Sequence, residues 1–199
     1  MARARSLNNL DPLAPTAANA RILVRERLAD MYTCAEYVGN PKYAQELHDL
    51  RIAAKRLRYT LEIFADHLPE ASQMFAEELA TLQDELGALH DSEVMLALLR
   101  LALSEEQNTT VEEQPTEETG KRTKALVSKQ LSAKIPYGKD KRAPSEQARR
   151  GLASFLLKEE QRRDECYSIF RRHWDKLEER NFRAALLEML AHTEPEETK

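Results

Sequence analysis

The chain has 199 residues, of which 42% are hydrophobic and 32% are charged, and only five are glycine. This composition favours helices and disfavours a sheet protein with many tight turns. The formal net charge of −4 does not indicate an anion-binding protein, so any such role must come from local clustering of cations. Cys34 and Cys166 lack the spacing of a metal site, and no apolar run is long enough to cross a membrane. We therefore expect a cytoplasmic all-α protein with free thiols.

The predicted fold is an antiparallel helical bundle built of long helical hairpins, with about five to six helices. Residues 1–15 contain two prolines and no periodicity, which predicts a flexible or loosely docked arm. The first helix should begin at a Thr16 cap and run to about Val38. Gly39 in a left-handed conformation, followed by a proline, should end it. Residues 16–192 are expected to form a single helical domain.

The second predicted helix, from about Tyr43 to Asp66, carries a narrow stripe of charged residues. Its members recur at spacings of three and four and therefore share one helix face: His48, Arg51, Lys55, Arg58 and Glu62. One apolar flank of the stripe comprises Leu47, Leu50, Ala54, Leu57, Leu61 and Phe64, and the other comprises Ile52, Tyr59 and Ile63. An ordinary surface helix has one apolar stripe and one broad polar face. The double flank predicts a cationic strip that lines a cleft between packed helices and faces an anion.

The third predicted helix repeats a bundle-type apolar spacing, at Phe75, Leu79, Leu82, Leu86 and Leu89. Gly87 lies inside this helix, where glycine often permits another backbone to approach closely. After Asp91 the apolar run resumes, and either a new helix starts at a cap there or the helix bends and continues. We favour a kinked continuation to about Ser104.

Composition changes at residue 105, where an acidic stretch is followed by a basic one. Residues 105–144 are predicted to be a low-complexity charged loop, solvated or helping to hold an anion. Residues 181–192 should form a short amphipathic helix, and residues 193–199 a disordered tail.

The last long helix should start at a Ser145 cap and run to about Glu179. Glu159 and Arg163 fall within its apolar arc, which otherwise comprises Leu152, Phe155, Leu156, Cys166, Phe170, Trp174 and Leu177. Two interpretations remain open for these charges. Glu159 and Arg163 pair with each other at i,i+4, or Arg163 projects into the same cleft as the stripe.

Sequence signatures of catalysis are missing, since no glycine-rich phosphate loop or nucleophile motif is present. We predict no enzyme, no cofactor and no metal site. A cationic helix stripe also fits a nucleic-acid backbone, although only Tyr59 beside it offers a base contact. A further alternative is a metal-dependent polyphosphate or triphosphate hydrolase, whose metal would be held by Glu62, Asp84 and Asp91.

The stretch LHDLRIAAKRLRYTLEIF, followed by LQDELGALHDSEVMLALL, resembles the CHAD domain family, the conserved-histidine α-helical domain. The family pattern of His, Arg and a basic run matches His48, Arg51, Lys55, Arg56 and Arg58, and its Leu-Gly-x-x-x-Asp element matches Leu86, Gly87 and Asp91. The resemblance covers roughly Asn19–Leu103. It implies an all-helical fold that binds inorganic polyphosphate through a basic surface or pore, without catalytic activity of its own.

One departure from the family pattern concerns the number of repeats. The family usually has two such helical repeats, whereas this chain has one full motif set, so it resembles a short or single-repeat member. Its last helix or a second copy of the chain, in a homodimer, would then complete the cleft. The predicted polyphosphate-binding residues are His48, Arg51, Lys55, Arg56 and Arg58, with Arg21, Arg25 and Arg163 in second rank. Polyphosphate granules are a possible location.

Overall fold

The computed structural model describes residues 10–104 and 145–191, which form helices and turns and no strand. The α-helices are α1 (Thr16–Tyr32), α2 (Ala44–Ile63), α3 (Ser72–Ser104), α4 (Glu146–Glu179) and α5 (Phe182–Ala191). Two 3-10 turns, Ala35–Tyr37 and Ala65–His67, follow α1 and α2. The predicted all-α helical bundle is confirmed. The predicted loop at 105–144, the tail and the first nine residues lie outside the described residues. None of the described helices is both long enough and apolar enough to span a membrane.

The ends of the first two helices differ from the prediction. Pro15 occupies the N-cap position of α1 and Thr16 is already helical, with no side-chain capping hydrogen bond. α1 ends at Tyr32 rather than near Val38, because the chain tightens into the turn Ala35–Tyr37. Gly39 does not adopt the left-handed conformation, since no described glycine has a positive φ. Hydrophobic spacing alone continues across such a turn and therefore overestimates the helix.

Part of the predicted N-terminal arm is tied to α1. The Asp11 backbone N–H donates to Asn19 Oδ1 at 3.2 Å, and Asn19 Nδ2 donates to the Asp11 carbonyl at 2.7 Å. The Asp11 carboxylate also accepts from the Leu13 N–H at 2.9 Å. Residues 10–15 are therefore held by a reciprocal side-chain-to-backbone pair.

α3 runs without a break through Gly87 and Asp91 to Ser104, so the predicted continuation is confirmed, while the kink within it stays a prediction. The close backbone approach predicted at Gly87 is wrong, because a Cβ there would meet no described atom within 4 Å. The predicted Ser145 cap of α4 is confirmed, since Ser145 Oγ accepts from the Ala148 N–H at 3.3 Å.

Gly87→Ala is expected to stabilise the protein by up to about 1 kcal/mol. Alanine costs less conformational entropy than glycine inside a helix, and its methyl group enters open space. Chemical denaturation of both proteins measures the effect. A loss of stability would mean that another group approaches Gly87 more closely than this structure describes.

Contacts divide the chain into two compact units. The first comprises the residues up to Ala88 and those from Cys166 onward. Within it, α1 packs along α2 and also contacts the turn Ala65–His67 at the far end of α2. Since α1 and α2 are joined by a short connection, they run antiparallel, and the first half of α1 lies beside the second half of α2.

Contacts between a histidine and two glutamates join α3 to α4 within the first unit. His173 Nδ1 lies 2.8 Å from Glu85 Oε2, and its Nε2 lies 3.4 Å from Glu78 Oε1. Seven residues further on, just after the end of α4, Arg180 Nη1 lies 3.4 Å from the same Glu78 oxygen. Residue numbers increase along α4 in the direction in which those of the contacting residues on α3 decrease, so these segments are antiparallel. His173 thus has two carboxylates as partners.

The second unit comprises Leu89–Glu165. In it, Arg100 Nη2 lies 2.8 Å from Glu160 Oε1. Burial raises the pKa of Glu93 to about 7, against the opposing charge of Arg163. The predicted apolar arc of α4 is incompletely covered in this unit, because Phe155 is 44% exposed.

Of the two interpretations left open for Glu159 and Arg163, their pairing with each other is wrong. Glu159 is buried, and Arg162 Nη1 lies 3.8 Å from its Oε1. Arg163 Nε instead lies 2.8 Å from Asp164 Oδ1. The i,i+4 spacing permits such a pair. In the structure, however, each of the two side chains lies beside an oppositely charged residue that is nearer to it along the same helix.

Candidate anion-binding site

α2 places the cationic stripe at the edge of the first unit's core. The buried face of this helix comprises Leu47, Leu50, Ala53, Ala54, Leu57 and Leu61. His48, Arg51, Lys55 and Arg58 are all half-buried. Their hydrocarbon stems can therefore lie against the core while the charged ends reach its border.

The other apolar flank of the stripe is not a buried face. Tyr59 is 41% exposed and Ile63 is 73% exposed, while Ile52 is half-buried. The predicted cleft between two packed apolar faces is corrected accordingly: the stripe has a packed flank on one side and an open flank on the other. The periodicity of α2 identified both arcs but could not show which of them other helices cover.

Arg21 on α1 and Arg51 on α2 share one feature with Arg58 and Arg163. Each is half-buried, and the Nε atom of each is buried without a hydrogen-bond partner in the part of the chain that the structure describes. Leaving a buried polar group unsatisfied typically costs about 1–3 kcal/mol, and more when it is charged. Arg58 and Arg163 each have a carboxylate neighbour, whereas Arg21 and Arg51 have none among the described residues, so the charges of these two are not neutralised there by an ion pair.

Lys55 and Arg58 meet at the ring of Tyr59. Lys55 Nζ lies 5.4 Å from the ring centroid, and Arg58 Cζ lies 4.8 Å from it. Glu62 Oε1 also lies 3.4 Å from Arg58 Nε, which is close enough for an ion pair. The two groups are not aligned for a hydrogen bond. The second half of the stripe is thus organised by one aromatic ring and one carboxylate.

The remaining predicted cations have different surroundings. Arg25 on α1 is exposed and has no carboxylate partner among residues 10–104 and 145–191. Arg56 is half-buried and engaged by other groups of the protein. Arg163 belongs to the second unit, beside Asp164 and near Glu93. The structure therefore places seven of the eight predicted cationic and histidine positions in the first unit, and Arg163 outside it.

His48 forms the beginning of the stripe. Burial lowers the pKa of its imidazole, and the positive charge of Arg51 lowers it further, against the opposing effect of Asp49. The neutral ring is therefore favoured in the protein without a ligand. A bound anion would oppose both causes and favour the protonated ring.

The carboxylates considered for a metal do not form a cluster. Glu62, Asp84 and Asp91 are each exposed, and Glu62 is engaged by Arg58. Across the described ranges there is no group of three or more histidine, cysteine, aspartate or glutamate side chains that could hold a metal ion.

Comparison with known proteins now assigns the family. Residues 2–100 match the family model of the CHAD domain. The chain carries a CHAD domain. The matched region of this CHAD domain contains α1, α2 and most of α3, and therefore the whole stripe. No curated protein and no solved structure matches the chain.

The ring of Tyr59 was the functional feature that sequence reasoning underestimated. Its position four residues after Lys55 is a local signal for a cation–π contact on a helix, whereas the contact with the adjacent Arg58 has no such signal. The unsatisfied donors of Arg21 and Arg51, in contrast, depend on burial and had no signal in the sequence.

Proposed function

We propose that this CHAD-domain chain binds inorganic polyphosphate through the stripe on α2, and does so without catalysis. The observation that carries the proposal is that Arg21 and Arg51 each have a buried Nε without a hydrogen-bond partner and, unlike Arg58 and Arg163, no carboxylate neighbour among the described residues. Many other arginines in the described helices have a carboxylate neighbour: Arg27 with Asp30, Arg100 with Glu160, Arg150 with Glu146, Arg171 with Asp175 and Arg180 with Glu78. Although acidic residues outnumber basic ones in the chain, no carboxylate among the described residues pairs with Arg21, Arg51 or Lys55.

A linear polyanion suits the spacing of these cations. At about 1.5 Å per residue, the stripe from His48 to Arg58 is about 15 Å long. Arginine binds phosphate oxygens in a bidentate manner, and lysine contributes a compact charge. Since α1 is antiparallel to α2, Arg21 lies beside the half of α2 that holds Lys55 and Arg58. Cations of two packed helices thus occur at the same level along the helix axes.

Nucleic acid is the competing ligand, because its backbone carries the same charged groups. The exposed aromatic ring on the stripe, Tyr59, already contacts two cations, which favours a polyanion without bases. We therefore expect polyphosphate to bind more tightly than RNA or DNA of equal phosphate concentration. Binding should weaken steeply as salt increases, because condensed counterions are released on association.

Competition measures this preference directly. Labelled polyphosphate is bound to the full chain and then displaced with unlabelled polyphosphate, single-stranded RNA or duplex DNA at matched phosphate concentration. Displacement by polyphosphate at the lowest concentration supports the proposal. Equal or better displacement by RNA or DNA would assign the stripe to nucleic acid. Release of phosphate above background with Mg²⁺ or Mn²⁺ present would instead indicate a hydrolase.

His48 gives the proposed binding a pH dependence of definite sign. Its pKa is lowered in the free protein, so binding of an anion should raise it and take up a proton. Affinity should therefore increase as the pH falls from about 8 to about 5.5, a range that spans the ordinary histidine pKa. His48→Gln should lose this part of the pH dependence. Comparing titrations of the two proteins cancels any titration of the polymer itself.

Protein stability should change with pH in the opposite direction. A folded-state pKa below the unfolded value gives stability that is present above the unfolded pKa and lost as the pH falls through the folded one. Acid should thus weaken the fold slightly while it strengthens binding. Affinity that falls in parallel with stability would contradict a phosphate contact at His48.

The proposed ligand also implies a cellular location for the protein. A chain with one cationic stripe would associate with polyphosphate granules, and the open flank of α2 leaves space for a second copy. Light scattering with and without polyphosphate tests the homodimer, and co-sedimentation with granules tests the location.

A further inference from the structure

We propose that Tyr59 is a positioning residue, which holds Lys55 and Arg58 together as a pre-formed pair for the ligand. The proposal rests on the proposed binding of polyphosphate by the stripe and concerns how two of its cations are prepared. It assigns a role to a side chain that is itself uncharged.

The contacts of the two cations support this role. Lys55 has no carboxylate partner in the part of the chain that the structure describes, and its ammonium group lies 5.4 Å from the Tyr59 ring centroid. Arg58 is fixed from two sides, by the ring at 4.8 Å and by Glu62 at 3.4 Å. The ring is therefore common to both cations, while Glu62 reaches only one of them.

The physical advantage of a ring over a carboxylate lies in the net charge. The face of an aromatic ring attracts a cation through its quadrupole, yet the ring carries no net charge. The ring therefore neutralises neither cation, and Lys55 keeps its full charge for an incoming anion, while Arg58 shares part of its charge with Glu62. A carboxylate in the same position would order them equally but neutralise part of that charge.

Ordering also reduces the entropy lost on binding. Immobilising a long side chain at a binding surface costs about 0.5–1.5 kcal/mol. Lys55 and Arg58 are partly ordered by the ring before the ligand arrives. At 41% exposure the ring remains at the surface, where the pair can meet a ligand without rearrangement of the core.

Three substitutions test the proposal in the full chain. Tyr59→Leu should weaken polyphosphate affinity by roughly five- to tenfold, because binding would then have to order two mobile side chains. Tyr59→Phe keeps the ring and should bind like the wild-type protein. Ile63→Ala removes an exposed apolar side chain one turn further along and should also leave affinity unchanged.

The salt dependence separates positioning from direct contact. Tyr59→Leu should leave the slope of log affinity against log salt unchanged, because the number of cations at the ligand stays the same. Lys55→Ala should reduce that slope. Unchanged affinity in Tyr59→Leu would overturn the proposal. Equal losses in Tyr59→Leu and Tyr59→Phe would show that the hydroxyl group matters rather than the ring.

Nuclear magnetic resonance without any ligand provides an independent readout. Side-chain protons of Lys55 and Arg58 near the ring should show ring-current shifts that Tyr59→Leu abolishes and Tyr59→Phe retains. Absence of these shifts in the wild-type protein would refute the positioning role, even if polyphosphate binds. Their presence in a protein that does not bind polyphosphate would refute the proposed function instead.

Discussion

Replacing Arg51 and Arg58 together by alanine is expected to weaken polyphosphate binding by about a hundredfold. A hydrogen bond that involves a charged group contributes about 1.5–3 kcal/mol, and 1.4 kcal/mol corresponds to a factor of ten in affinity. Arg51 contributes a buried, unsatisfied donor, and Arg58 is held ready by Tyr59. Titration calorimetry or fluorescence anisotropy at moderate salt measures the loss, and the salt slope should fall with it.

A matched control separates local contacts from total charge. Arg150→Ala plus Arg171→Ala removes the same number of positive charges, and both residues lie in i,i+4 ion pairs on α4, with Glu146 and Asp175. Exposed pairs of this kind contribute little to stability. The control should bind polyphosphate within a few-fold of the wild type. If both double variants lost affinity equally, the binding would depend on net charge rather than on the stripe.

Phe170→Ala is expected to reduce the free energy of unfolding by about 3–5 kcal/mol. Phe170 is fully buried, and its ring lies 6.4 Å from those of both Tyr167 and Trp174. Tyr167 also donates to the Val38 carbonyl at 2.9 Å, which ties α4 to the connection between α1 and α2. Removing the ring would leave a cavity in the core that supports the stripe.

Its neighbour Ile169 provides the control, because it is 46% exposed on the same helix. Ile169→Ala should change stability by less than about 0.5 kcal/mol, as surface substitutions usually do. Chemical denaturation of both variants gives the comparison. Similar stabilities for the two variants would show that α4 does not complete the core. The point matters because Phe170 lies beyond residues 2–100, where the family match ends.

The buried face of α2 could be predicted because helical periodicity is a local property. Leu47, Leu50, Leu57 and Leu61 recur at the spacing of one helix face, and all four are buried. The same periodicity placed the cations beside that face. The start of α4 was predictable for a similar reason, since Ser145 is a good N-cap residue and forms the expected hydrogen bond.

Features that depend on tertiary packing were not available from the sequence. Ile63 and Leu61 are both apolar residues on α2, yet one is 73% exposed and the other is buried. Only the neighbouring helices decide this difference. The same reason applies to His173, whose partners Glu78 and Glu85 lie almost a hundred residues earlier in the chain.

The candidate site has features that depend on local spacing and others that depend on tertiary packing. Local spacing was enough to propose Arg51, Lys55 and Arg58 as one surface. Whether each guanidinium group is satisfied within the protein depends on its surroundings, and only the structure distinguishes Arg51 from an ion-paired arginine such as Arg171. The unsatisfied donors are what convert a charged helix face into a candidate binding site.

The most direct test of the stripe as the polyphosphate site is to observe its arginine side chains by nuclear magnetic resonance during a titration. We predict that the Nε–H signals of Arg21 and Arg51 shift or become protected from exchange as polyphosphate is added, while those of Arg150 and Arg171 change little. Changes confined to Arg150 and Arg171, with Arg21 and Arg51 unaffected at saturation, would contradict the proposal that the stripe binds polyphosphate.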